Sequence, residues 1–426
     1  MSESTDSPQV NHPPQTKGRR RSRRWLWLPA AVVLLLLGWK AWYVPYYRLI
    51  GTYTTHDVLL IPAETGFLTR ESETTFALRD WRDGHRRWAV TVRQPQVRGR
   101  GPSGDLVFGS GYSLSHDGHV FAAATVQQRV LHLETWRDGA ATGHVTLPLE
   151  QTPPILFVRA LDSGRVFCWH SFYVRGIFGG RTMPVIAVED GRIIGRGSFP
   201  PNTLMAPDGS AVASSTSTGF TYSEPQVVGG AITLHNSYTA NDTLDFPDGR
   251  GGFVLDSTMF AGGAVLAANG AVYGRKGRVR APVRRQHQGA APGGRYTLEY
   301  AGREVWSFSP VSGKAWSVSV PSINLGGDAT ADGRHVLAYL QPRMPNIFDR
   351  STRRAAARLI GGSLSDYLML YDNAGRRRAV LRPKLRAWWP DAGAVETRWW
   401  FPSPDGRTVA MTAANGVEGR CFLLRY

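Results

Sequence analysis

The chain has 426 residues and a formal net charge of +17, with 47 Gly, 27 Pro, 14 Trp and two Cys. Two cysteines exclude a disulfide framework and a thiolate-based structural zinc site. The Gly, Pro and Trp content points to many turns joining short aromatic-rich strands, which favours an all-β class.

Residues 1–24 carry six basic groups against Glu3 and Asp6, so this segment holds +4 and the rest +13. The segment is polar and almost without large apolar side chains, so it cannot offset its ordering entropy, and a disordered tail is expected. "WLWLPAAVVLLLLGWKAWYVPYY" follows, Trp25 to Tyr47, uncharged from Trp25 to Trp39 and with Trp or Tyr at both ends. This is the pattern of a transmembrane anchor in a lipid bilayer, with aromatic belts and Lys40 able to snorkel. The residues after it are bulky, so no small-residue cleavage site is expected. The basic run before the span predicts a cytoplasmic N-terminus, and no later apolar run reaches the ~20 residues of a second span. The expectation is a single-pass membrane protein whose residues 48–426 lie in a periplasm or extracellular space.

From there one phrase recurs. "SLSHDGHVFAAAT" (Ser113–Thr125), "LMAPDGSAVASST" (Leu204–Thr216), "ATADGRHVLAYL" (Ala329–Leu340) and "FPSPDGRTVAMT" (Phe401–Thr412) each join an Asp-Gly turn to an apolar strand. Gly accepts positive φ there, and Asp bonds the local backbone. With weaker copies, the turns at Asp117, Ser163, Asp208, Asp248, Gly293, Asp332 and Asp405 are separated by 46, 45, 40, 45, 39 and 73 residues. A period in the forties suits four short strands per repeat. The long interval predicts an insertion, with a short helix over "DRSTRRAAARLIGG", 349–362. A second element, strand–turn–strand, recurs at Phe76–Val92, Leu131–Pro148, Val185–Phe199, Val305–Pro321 and Leu368–Pro383 and reads as an outer hairpin. The N-terminal strand Thr55–Ala63 is expected to close on the last strand, "CFLLRY". The fold class is thus a β-propeller of about seven four-stranded blades, with six or eight open.

"PDGRTVAMT" and "PDGSAVASS" resemble the WD-like repeats of TolB-type propellers. "SPVSGKAWSVSVP", with Gly313 and Lys314 ahead of Trp316, is similar to quinoprotein-type repeats. The resemblance spans about residues 55–426 and implies the fold; members of such families serve as scaffolds, recognition domains and enzymes alike.

Chemistry-bearing motifs are sparse. There is no Gly-x-Ser-x-Gly elbow and no phosphate loop, Gly313-Lys314 being followed by Ala315. His116 and His119 flank a turn and read as a solvated polar pair rather than metal ligands; Asp242, Asp245 and Asp248 lack the terminal Glu of a calcium loop. Cys168 and Cys421 read as buried thiols, their pairing undetermined. No cofactor and no catalytic residue is expected, quinone binding included. Trp388, Trp389, Trp399 and Trp400 serve either blade packing or a stacking surface. The basic loops Gly274–Arg285 and Ala374–Arg386 suit an anionic contact. The candidate partner contact is Arg376, Arg377 and Arg378 with Trp388 and Trp389.

The sequence therefore reads as a membrane-anchored extracytoplasmic propeller, a protein-binding or scaffold module whose partner is an envelope or membrane protein. Two alternatives remain: an enzyme with catalytic groups in the funnel, and binding of a glycan or anionic envelope polymer. Nucleic acid is disfavoured, since no stacking motif or recognition helix accompanies the charge.

Overall fold

In the computed structural model of the chain, the Asp-Gly phrase is the turn between the first two strands of an antiparallel sheet. The structure describes residues 29–35 and, apart from short intervals and the longer ones at 172–181, 245–258, 281–288 and 343–366, residues 47–426. The run after the turn is the second strand. Val120–Gln127 and Thr408–Ala414 each open with six consecutive buried residues, as small and β-branched side chains allow when both faces of a sheet are covered.

The chain divides into two units, Met1–Val44 and Pro45–Tyr426. Of the first, the helix 29–35 is described, with Val32, Val33, Leu34 and Leu35 exposed. Among the described residues no helix is long and apolar enough to cross a membrane.

The second unit is built of strands. After β1 (Arg48–Thr55), the first four-stranded meander is β2 (Leu60–Pro62), β3 (Gly66–Arg70), β4 (Thr75–Asp80) and β5 (Arg86–Thr91). A hairpin, β6 (Arg98–Arg100) and β7 (Leu106–Phe108), precedes the second meander, β8 (Ser110–Leu114), β9 (Val120–Gln127), β10 (Val130–Arg137) and β11 (Ala140–Pro148). The third is β12 (Ile155–Ala160), β13 (Val166–Ser171), β14 (Met183–Glu189) and β15 (Arg192–Phe199). The fourth is β16 (Thr203–Met205), β17 (Val212–Ser215), β18 (Phe220–Val228) and β19 (Ala231–Ala240). The fifth is β20 (Met259–Phe260), β21 (Ala264–Leu266), β22 (Val272–Gly274) and β23 (Gly277–Arg280). The sixth is β24 (Gly289–Ala291), β25 (Gly294–Tyr300), β26 (Glu304–Pro310) and β27 (Trp316–Val320). The seventh is β28 (Ser322–Ala329), β29 (His335–Pro342), β30 (Tyr367–Asp372) and β31 (Arg377–Leu381). The last sheet has only β32 (Glu396–Pro402), β33 (Thr408–Ala414) and β34 (Gly419–Arg425) from this end of the chain, and β1 completes it.

Serial meanders whose last sheet is closed by the first strand are the β-propeller arrangement, and closure protects strand edges that would otherwise recruit other chains. Successive sheets share cores. Phe76, Leu78 and Val90 pack with Phe121 and Trp136 of the next sheet, and Ala122, Ala124 and Leu133 pack with Leu156, Val166 and Cys168. Phe167 and Trp169 pack with Met205 and Val212, and Phe220 and Tyr222 with Val265 and Tyr273. At the seam between chain ends, Leu60, Phe67 and Trp81 share a core with Phe401, Ala410, Cys421 and Leu423. Each fully buried Phe contributes on the order of 2 kcal/mol.

One expectation changes. The closing strand is Arg48–Thr55, paired along its length with Gly419–Arg425; Leu60–Pro62, in the stretch expected to close, begins the next sheet instead. The described strands run as eight serial meanders, of which the third and fourth, with β6 and β7, are joined in one ten-stranded sheet by parallel bridges of β15 with β19 and of β12 with β7. The first and fifth turn through Glu64-Thr65 and Gly262-Gly263, which carry no Asp-Gly signal. The expected outer hairpins all form, as β4–β5, β10–β11, β14–β15, β26–β27 and β30–β31. The helix expected at 349–362 lies outside the described residues.

Candidate interaction surface

Because neighbouring strands run antiparallel, the first and third turns of each meander lie at one end of the sheets, and β1 enters and β34 leaves at that same end. The buried polar groups at this end are spent on holding the turns. Ser115 is 1% exposed, donates from Oγ to Asp117 Oδ1 at 2.5 Å and accepts from the Val120 N–H at 2.8 Å. Ser403, fully buried, repeats the geometry with Asp405 at 2.6 Å and Thr408 at 3.0 Å. In the Ala206 turn, Asp208 takes the Ser210 N–H and hydroxyl instead, at 3.1 and 2.6 Å.

The turns also join one sheet to the next. The Asp117 N–H donates to Asp162 at 3.1 Å, the Gly262 N–H to Asp208 at 2.5 Å, and the Thr65 hydroxyl to the Asp117 carbonyl at 2.6 Å. These carboxylates are occupied structurally, in agreement with the reading of the Asp-Gly phrases as architecture. His116 lies 3.2 Å from Glu64 and His119 2.6 Å from Asp138. Among the described residues no three His, Cys, Asp or Glu side chains are grouped to hold a metal. Asp242 accepts from Asn269 at 2.8 Å and from the Tyr273 hydroxyl; Asp245 and Asp248 lie outside the described residues.

Arg376 ends the turn between β30 and β31, and Arg377 and Arg378 open β31, all three exposed. One carboxylate fixes that turn. Asp372 is 7% exposed and takes the Ala374 and Arg376 N–H groups, both at 2.9 Å, and the Arg378 guanidinium at 2.8 Å. Burial alone would raise its pKa, but the two N–H donors and the Arg378 charge outweigh that and hold it below the ordinary aspartate value. Gly375, with φ of 74°, lets the backbone turn back over Trp316.

The tryptophans divide differently from the expected contact. Trp389 is 3% exposed, with the Arg420 guanidinium 4.5 Å from its ring centre. A buried ring has no face to offer a partner, so Trp389 is a packing residue. Trp388 is half-buried, edge-on to Tyr47 at 5.8 Å and against Phe422 at 5.5 Å. Trp400 packs beside Met411 and Phe422. Cys168 and Cys421 are free and lie in separate cores, and burial pushes both thiols up to about 12.

A second surface was invisible in the sequence. The β18–β19 hairpin outgrows its sheet, since β17 pairs only with Phe220–Ser223 while the hairpin continues to Val228 and Ala231. This arm lies along β15 of the preceding meander, where the Arg196 N–H donates to the Gly230 carbonyl at 3.0 Å and Ile232 packs by Phe199. Its base is tied to the next meander through Arg275 and Glu224 at 2.8 Å. Repeat spacing gives the position of a hairpin but not its excess length.

No protein-family model matches the chain, and no curated protein matches it. Solved structures similar to it include BamB from Moraxella catarrhalis, with a TM-score of 0.43, 10% identity, and coverage of 89% of this chain and 100% of that one. The Myceliophteria thermophila Cps50 (Swd1) β-propeller domain follows at 0.41 and 10%, covering 89% and 99%. Kuenenia stuttgartiensis hydrazine synthase gives 0.35 and 11%, covering 90% and 97%. At these values the likenesses carry no argument about this chain, and the fold rests on its strand pairing.

Proposed function

We propose that this chain is a membrane-anchored, eight-bladed β-propeller that works outside the cytoplasm as a protein-binding scaffold, with an envelope or membrane protein as its partner. The observation that carries the reading is the exposed triplet Arg376–Arg378 at the turn-to-strand junction that Asp372 fastens. A fixed basic edge loses little conformational freedom on meeting an acidic partner surface and favours fast, oriented encounter. Ring closure by β1 supports the rigidity of the support beneath it. The eight meanders support the blade count, and the Ser-x-Asp-Gly clasps support kinship of the repeats with the TolB-type pattern. The anchor reading rests on the uncharged Trp25–Trp39 stretch behind its basic run and on the exposed apolar side chains of the helix 29–35.

The test is site-specific photo-crosslinking in cells, with the reactive group at Asn373 beside the arginines, followed by mass spectrometry. One membrane or envelope protein should be recovered, and the adduct should disappear in Arg376→Ala/Arg377→Ala/Arg378→Ala. An adduct that survives the triple substitution, or no adduct at all, sinks the reading.

A further inference from the structure

Two hairpin tips of neighbouring meanders expose apolar side chains, the second beside a cluster of positive charge, in a way that neither turn chemistry nor packing explains. In the propeller unit, the exposed large hydrophobic residues among those described are Val228, 62% exposed, and Val279, 75% exposed. Val228 leads into Gly229 and Gly230, whose φ values are 57° and 80° and around which nothing lies within 4 Å of an added Cβ. Val279 is the third residue of β23, following the turn residues Arg275 and Lys276 and the strand residues Gly277 and Arg278, and these Arg and Lys side chains are all exposed. The two tips are third turns of neighbouring meanders, the base of the first hairpin being tied to the second tip by the Arg275–Glu224 pair, and Glu224 is the one acidic side chain of the two hairpins. Both belong to the strand ends at which β1 enters.

We infer that the β18–β19 and β22–β23 tips form a contact surface for anionic phospholipid headgroups. A valine standing free at the tip of a hairpin gains by entering the headgroup–acyl boundary, and flanking cations are attracted to a negatively charged surface by about 1 kcal/mol each. The occupant is chosen by the chain itself. The exposed cations of the second tip call for an anionic surface, and a bilayer is the surface that residues 25–39 are read to occupy. An acidic protein groove would satisfy the cations but would leave the paired, free-standing valines without a reason. The inference rests on the anchor reading for its choice of lipid.

The experiment uses the full chain carrying an environment-sensitive dye at Val279→Cys or Val228→Cys, the two native thiols being buried. Vesicles of phosphatidylcholine alone, and of phosphatidylcholine with phosphatidylglycerol, both contain a headgroup-borne quencher. Flotation reports anchoring, and quenching reports tip contact. The expected result is flotation with both vesicles and quenching at both tips only where phosphatidylglycerol is present, with a dye at Glu73→Cys in the opposite turn unquenched. Lys276→Ala should lower the ratio of contacting to free tips about five-fold at low salt, and high salt should do the same. Flotation without quenching, or equal quenching at Glu73→Cys, overturns the tip surface and leaves the anchor standing. Flotation and quenching only with phosphatidylglycerol overturns the anchor and supports the tips. Flotation with neither overturns both.

Discussion

The Ser403 hydroxyl donates to Asp405 at 2.6 Å while accepting the Thr408 N–H at 3.0 Å, so one fully buried oxygen ties both strands of a hairpin to the carboxylate at its tip. Removing it takes the side-chain partner from a buried N–H and one of two donors from Asp405 Oδ1, which keeps the Arg407 N–H at 3.0 Å. Ser403→Ala should cost about 1–3 kcal/mol in chemical denaturation. Ser163→Ala should stay within about 0.5 kcal/mol, since its hydroxyl is exposed and makes only a 3.4 Å contact with the Arg165 N–H.

The same carboxylates set an acid limit. Burial pushes Asp405 upward, but the Ser403 hydroxyl, the Arg407 N–H and the charges of Arg407 and His335 bring its net pKa below the ordinary value; Asp372 is lowered as well. A carboxylate lowered in the folded state contributes stability above its unfolded pKa of about 3.9 and loses it as pH falls through the folded value. Stability should therefore drop below about pH 4, and Asp405→Asn should flatten that limb while costing stability at neutral pH. Urea midpoints measured across pH check both.

Gly406 and Gly229 separate strain from crowding. Both hold positive φ, 64° and 57°, but an added Cβ at Gly406 would lie 2.2 Å from His335 Nδ1, whereas at Gly229 nothing lies within 4 Å. Gly229→Ala should cost only the left-handed penalty, about 1 kcal/mol, and Gly406→Ala about 2 kcal/mol or more. Equal losses in thermal unfolding would contradict the packed turn.

Cys168 and Cys421 should resist alkylation in the folded protein, because both are buried and held near 12. Both should react on unfolding, and mass spectrometry after non-reducing digestion should find no bridge between them. Rapid native labelling of either would contradict their placement.

β1 is needed although it lies far from the rest of its sheet in sequence. A chain beginning at Pro45 should remain monomeric, whereas one beginning at His56 exposes the β34 edge and should self-associate or fail to fold, as read by size exclusion.

The outer hairpins and the buried second strands were legible because their signals are local: a turn residue, then an alternating or apolar run. What was missed is non-local or unsignalled. Pairing of Arg48–Thr55 with Gly419–Arg425 spans almost the whole chain, and Thr55–Ala63 is the more apolar segment, so composition favoured the wrong strand. Glu64-Thr65 and Gly262-Gly263 turn without Asp-Gly, so the repeated phrase gave no sign of them. The Arg376–Arg378 triplet was readable as a charged loop, but the Asp372 anchor beneath it depends on the fold, as does the burial of Trp389 under Arg420. The overlong β18–β19 arm gave no signal, since nothing in its composition says where β17 stops.

The pairing of β1 with β34 also has a consequence in time. Among the described strands β1 is synthesised well before β34, with which it pairs, so it waits with an unmatched edge while the intervening sheets are made and stacked. Gly419–Arg425 is thus the latch of the ring, and a pause or truncation near residue 419 leaves the stacked sheets unclosed.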